Sequence, residues 1–226
     1  MHTLMVADDH PLFREAIAAV IEAGMPGSRL MEAESLEEAL RRAEACEELD
    51  LVLLDLGLPD SEGLEGLRAL RETHPWLPVA ILSADQERRT ILDAINLGAV
   101  GYIPKSTPRR DLLAALSQLL EGQLYLPPDI MRRPPAPHSP PVAVESSTHS
   151  RLSELTDKQL EVLIHLRRGA SNKVIARELE IAETTVKTHV SAILHKLGVP
   201  GRVQAILAVG EADLDTLLAE RHGSSH

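Results

Sequence analysis

The chain is poor in cysteine, in aromatic rings and in long apolar runs. A single cysteine, Cys46, among 226 residues excludes an intrachain disulfide and fits a reducing compartment better than a secreted one. Phe13, Trp76, Tyr102 and Tyr125 are the only aromatic rings, too few for a platform on which single-stranded nucleic acid could stack. No stretch reaches the roughly 18 apolar residues of a membrane span. The opening MHTLMVADDHP carries neither a basic region nor a long apolar one. A cytoplasmic location without membrane contact is expected.

The net charge of −11 argues at first sight against a nucleic-acid partner, but it is unevenly distributed. Residues 1–127 hold 11 Lys/Arg against 22 Asp/Glu, whereas residues 151–209 hold 9 against 6. The acidity belongs to the first part, and the second can still face phosphates.

The two parts are separated by PPDIMRRPPAPHSPP followed by VAVESSTHS, too rich in proline for a ladder or a helix. This divides the chain into a first domain over 1–127, a linker over 128–150, a second domain over 151–210 and an acidic tail over 211–226. At about 3.1 Å per residue the linker could span at most about 70 Å. Before it, LMVA, RLMEA, LVLLD, VAILS and GYI each precede a helical pattern. Five such units in series predict an α/β, doubly wound, five-stranded parallel sheet of the flavodoxin-like kind. After it the pattern is purely helical, in DKQLEVLIHLRRG, SNKVIARELE, AETTVKTHVSAILHKLG and RVQAILAVG, and predicts a small all-α domain of four helices.

Predicted strand one ends in Asp8 and Asp9, strand three in Asp55 and strand four in Ser83, while Lys105 follows strand five. In a parallel sheet these ends share one edge, which is where ligands bind in such folds. Three carboxylates would repel one another, and a hard divalent cation, Mg²⁺ for preference, together with Lys105 would relieve this. An Asp facing Mg²⁺ and a lysine can attack a phosphoryl group and carry it as an acyl phosphate. Gly57 and Ala84 leave the site open to a donor. Each residue alone has a plainer reading, Asp8 or Asp9 as a helix cap and His10 as a turn residue, but their joint placement favours the site.

Through VADDHP, LVLLDLGLPDSEG, AILSA and GYIPKS, residues 1–127 resemble the receiver domain of two-component response regulators. The resemblance implies that Asp55 is the phosphoacceptor. It makes Asp9, Asp55 and the Gly57 carbonyl direct Mg²⁺ ligands and Asp8 a ligand through water. It also implies that Ser83 binds a phosphoryl oxygen, Tyr102 rotates with it and Lys105 pairs with the phosphate.

In the second domain Leu160, Val162, Leu163 and Leu166 recur at helical spacing, Thr156 and Ser171 precede helices as caps, and Val186, Val190, Ile193, Leu194 and Leu197 share one face. Thr184, Lys187, Thr188, Ser191 and His195 are left on other faces, a polar and basic outer surface suited to a recognition helix. LTDKQLEVL, GASNKVIARELEI, TTVKTHVSAILHKL and GRVQAILA resemble the LuxR-type helix-turn-helix domain of the NarL/FixJ class. That resemblance implies that Lys187, Thr188 and Ser191 approach base edges. It implies that Asn172, Lys173, Thr185, His189, Lys196 and Arg202 hold the DNA backbone or brace the fold, and that 202–209 forms a dimerisation helix.

The sequence therefore reads as a DNA-binding response regulator and not an enzyme. The expected partners are a sensor histidine kinase, a second copy of the chain and double-stranded DNA with paired half-sites. A phosphatase-like enzyme is disfavoured because Gly57 stands where a general-acid carboxylate would be needed. A regulator controlled by protein contact or ligand in place of phosphate is the other alternative.

Overall fold

The computed structural model describes residues 2–132 and 151–210 together with Leu214 and Leu218. The α/β part runs β1 (Thr3–Ala7), α1 (Pro11–Gly24), β2 (Arg29–Ala33), α2 (Leu36–Ala45), β3 (Leu51–Leu54), α3 (Glu65–Thr73), β4 (Val79–Ser83), α4 (Arg88–Asn96), β5 (Gly101–Pro104) and α5 (Arg109–Leu120). All strand pairs are parallel, in the order β2-β1-β3-β4-β5. β1, β3 and β4 are buried at every position, because alternate residues feed opposite layers. Met5, Ala7, Val52, Leu54, Val79 and Ile81 pack into the layer that holds Leu67, Leu70 and Ile91 of α3 and α4. Leu4, Val6, Leu51, Leu53, Ala80 and Leu82 pack against Ile17, Ile21, Leu112 and Leu116 of α1 and α5.

The strand order reverses between β1 and β3, so the crevice at their carboxyl ends is the binding edge that such topologies create. Past α5 the chain returns along β5, where Tyr102 N donates to Tyr125 O at 3.0 Å, which covers the edge strand.

A short helix, α6 (Pro128–Arg132), opens the segment expected to be all linker. Its proline is the first helical residue, a position whose N–H needs no partner. Ile130 packs against the α/β core. The reading that prolines exclude a helix here is corrected accordingly, and the remainder of the linker expected over 128–150, residues 133–150, lies outside the described residues.

The helical part comprises α7 (Asp157–Arg167), α8 (Asn172–Glu178), α9 (Glu183–Leu197) and α10 (Arg202–Val209). Leu160, Leu163, Val186, Val190, Ile193 and Leu197 form its core, joined by Leu214 from the expected tail. Both expected caps form. Thr156 and Gln159 complete a capping box on α7, and Ser171 Oγ accepts from Val174 N at 3.4 Å. α9 ends at Gly198 with φ +64°, the left-handed stop that glycine provides without steric cost.

Removing the α7 cap isolates its contribution. Thr156→Ala should lower the stability of the helical domain by about 1 kcal/mol, read as a shift of its thermal transition by circular dichroism. The α/β transition should not move.

Candidate functional site

Asp8 and Asp55 are buried at the ends of β1 and β3, while Asp9 and His10 are exposed at the rim. Lys105, one residue past β5, reaches back so that its Nζ lies 2.7 Å from Asp8 Oδ2 and 2.7 Å from Asp55 Oδ2. Its backbone N–H donates to Ser83 O at 2.8 Å, which ties the lysine to the end of β4. Burial alone would lower the lysine pKa, but the hydrogen bonds and charges of Asp55 and Asp8 outweigh it and hold the ammonium above its usual value. The five expected strand-end residues therefore do meet on one edge.

Oxygen or nitrogen ligand atoms of Asp8, Asp9, His10 and Asp55 lie within 4.8 Å of one another. This donor set is dominated by carboxylate oxygens and suits a hard divalent cation at the mouth of the crevice. Gly57 borders the same opening, where a Cβ would stand 3.3 Å from Asp55 Oδ2. A larger residue there would crowd the carboxylate.

Ser83 is buried and its Oγ accepts from Asp85 N at 3.2 Å. Tyr102 is wholly buried, and its hydroxyl donates to Asp85 O at 2.7 Å. Burial pushes the phenol up to about 12, so it stays a donor at neutral pH. The serine and the tyrosine are thus joined through one turn, the one that leads into α4.

Two supports were not foreseen from the sequence. Arg14 of α1 is buried, with Nη1 donating to Asp8 O at 2.7 Å and Nε and Nη2 held by Glu32 and Glu34. The Phe13 ring lies 4.9 Å beneath Lys105 Nζ. The rarity of aromatic residues was the only signal that could have drawn attention to Phe13.

The second group of expected residues is dispersed over the helical part. Lys196 braces the fold, its Nζ donating to Glu154 O at 2.8 Å and Gln159 Oε1 at 2.9 Å. Arg202 is buried and donates to Ala170 O at 2.7 Å, and Asn172 is buried as well. Thr185 and Thr188 are exposed on α9, with His189 and Ser191 half-buried.

Lys187 departs from the expected outer face. It is buried against the α/β part, where its Nζ donates to Glu47 O and lies 4.3 Å from the centre of the Trp76 ring. Thr184, Thr188 and Ser191 line the same cleft as Trp76, Pro75 and Thr73. Lys173 reaches across to Asp50 at 3.3 Å. Trp76 packs against both cores.

Replacing Lys105 by Met would leave Asp8 and Asp55 buried without their cation, a loss of about 3 kcal/mol in metal-free buffer. Because the folded-state pKa of Lys105 is raised, the difference from wild type in urea unfolding should be fully present below pH 10.5 and disappear only at higher pH.

Residues 4–117 match the family described as response regulator receiver domain, and residues 153–209 match the bacterial regulatory proteins of the luxR family. The chain is 49% identical to the glycerol metabolism activator of Pseudomonas putida, over 96% of this chain and 99% of that protein. It is 32% identical to the nitrate/nitrite response regulator protein NarL of Escherichia coli, over 92% and 94% respectively. A solved LuxR-family response regulator from Aurantimonas superposes with a TM-score of 0.53 at 33% identity, covering 57% of this chain and 92% of that one. No described helix is long and apolar enough to cross a membrane. With a receiver fold carrying its acidic edge, a helix-turn-helix part and relatives matched over nearly their whole length, the chain belongs to the LuxR-type response regulators, transcription factors that join a receiver domain to a DNA-binding domain.

Proposed function

We propose that Asp55 accepts a phosphoryl group from a sensor histidine kinase with Mg²⁺ bound, and that this modification releases α9 from the receiver domain to bind DNA. The observation that carries the proposal is the position of Lys187. The base-reading lysine implied by the family resemblance is held by Glu47 O and Trp76 of the receiver, so the unmodified arrangement is closed to DNA.

The chemistry follows from the crevice. Asp55 would attack phosphorus as the P–N bond to the kinase histidine breaks. Lys105 would exchange its contact with Asp55 for one with a phosphoryl oxygen. Asp8, Asp9, Asp55 and the Gly57 carbonyl would hold Mg²⁺, which offsets negative charge during transfer. Ser83 would turn its hydroxyl to the phosphoryl group and so give up Asp85 N. The Asp85 turn, also bonded to Tyr102, would then rearrange.

On DNA, Lys187, Thr188 and Ser191 would approach base edges, and Lys173, Thr185 and His189 the backbone. The buried Asn172 and Arg202, with Lys196, would brace the fold. α10 exposes Leu207 at 71%, an apolar residue open to a second copy. A homodimer through this helix would place two recognition helices on paired half-sites. The domain division over 1–127, 128–150, 151–210 and 211–226 belongs to the same reading, with α6 packed on the receiver. A cytoplasmic location is consistent with a DNA partner.

Two measurements test this. With Mg²⁺ and a small phosphoryl donor, wild type should gain affinity for genomic DNA fragments and Asp55→Asn should not; equal binding in all samples rejects phosphate control. In the donor-treated chain, Lys187→Ala should cost about 1–3 kcal/mol at a matched operator, and unchanged affinity would remove it from the base contacts.

A further inference from the structure

Apart from the Trp76 cleft, the two domains enclose between them a cleft of about 420 Å³, the size of many small-molecule sites. Met25 and Leu120 of the receiver and Val174 of α8 give it apolar walls. Lys173, Arg177 and Glu121 are its exposed charged residues, two cations against one carboxylate. Lys173 is shared with Asp50 at 3.3 Å, and Glu121 accepts from Gln123 Nε2 at 3.5 Å.

His2, Leu120 and Ser171 belong to this cleft and also to a smaller, more enclosed cavity of about 20 Å³, room for one water-sized group. Asn172 and Arg202 line the small cavity from the helical domain.

The polar atoms around the small cavity are not all satisfied. Asn172 is 8% exposed and Arg202 7%, yet Asn172 Oδ1 and Arg202 Nε have no hydrogen-bond partner among the described residues. His2 Nδ1 is a third such atom, 3.6 Å from Asp50 Oδ2. Buried polar atoms are rarely left in this state. The guanidinium is already fixed in place, since Arg202 Nη2 donates to Ala170 O at 2.7 Å. Its Nε–H requires an acceptor and the amide oxygen of Asn172 a donor. A hydroxyl is the smallest organic group that supplies both.

We infer that the two cavities form one binding site for a short hydroxy acid. Its hydroxyl enters the small cavity between Arg202 Nε and Asn172 Oδ1, its aliphatic body lies along Met25, Leu120 and Val174, and its carboxylate meets Lys173 and Arg177. Both domains line the site, so the compound binds the docked arrangement better than separated domains. By linkage it opposes DNA binding, a consequence that rests on the proposal that the docked arrangement is closed to DNA.

The test uses ω-hydroxyhexanoate, labelled and measured by equilibrium dialysis against the unmodified full chain. One site per chain is expected. Hexanoate, which lacks the hydroxyl, should bind about 10-fold more weakly, the effect of leaving buried polar atoms unpaired. Hexanediol lacks the carboxylate and the variant Arg177→Gln lacks a cation, and each change should weaken binding about 3-fold, as loss of an exposed ion pair does. Thermal transitions of Arg177→Gln should match wild type. Hexanoate binding as tightly as ω-hydroxyhexanoate would overturn the site and leave the small cavity to water. So would no binding of either by a chain whose DNA affinity still rises with phosphoryl donor, and the closed state would then stand. In a second arm, saturating ω-hydroxyhexanoate should lower the DNA affinity of wild type about 5-fold. Binding that keeps the hydroxyl preference without changing DNA affinity would support the site and overturn the closed state.

Discussion

Lys105 Nζ, 2.7 Å from both Asp8 and Asp55, is the charge on which the receiver edge depends. A parallel sheet that reverses its strand order brings the ends of β1 and β3 together, and here each end carries a buried carboxylate. Two carboxylates at the margin of a low-dielectric core need a cation within reach. β5 supplies it from the far side of β4, over the Phe13 ring. The lysine neutralises part of the acidic cluster, and the remaining carboxylate oxygens, shared with Asp9, form a donor set that could hold a divalent cation. In the proposed reaction an incoming phosphoryl group would meet positive charge on two sides of Asp55.

The contact between the two domains is built from weaker elements. It joins Lys187 to Glu47 O, Arg71 to Pro200 O and the amide of Gln204 to Ile95 O, together with the ion pair of Lys173 and Asp50 at 3.3 Å. Arg71 and Arg202 are both buried there and donate to carbonyl oxygens, Arg71 to Pro200, Leu77 and Pro75 and Arg202 to Ala170. Burial lowers both pKa values to about 10, with the charge of Arg202 adding to the effect on Arg71. Buried guanidinium groups paired only with carbonyls incur a desolvation cost that the contact must meet. A docked state held by such offsetting terms is open to reversal by a ligand or modification worth only a few kcal/mol, as a two-state switch requires.

The receiver was legible because its signals are local. Unbroken apolar runs mark strands buried on both faces, acidic and basic residues stand at their ends, and helical patterns intervene. The caps at Thr156 and Ser171 were legible for the same reason. Arg14 was not, since on an amphipathic helix it looks like any solvated residue until β2 places Glu32 and Glu34 beside it. α6 was missed because proline was read as a breaker without regard to its place at the first helical position. The periodicity of α9 correctly put Lys187 outside the helical core, but being outside one core does not distinguish solvent from a second domain.

The sequence by itself determined the two folds and the residue types at the acidic edge of the sheet, because strand ends, helix faces and caps follow from the order of side chains along a few residues. Tertiary structure alone decided that the helical domain sits on α3 and α4 with Lys187 turned inward. The acceptors in that docking include the carbonyls of Glu47, Pro200 and Ile95 and the carboxylate of Asp50, and backbone meets backbone at Gly98 with Gly201 and at Gly122 with Gly169. Every residue carries a carbonyl, so an interface made of them has almost no side-chain pattern to read.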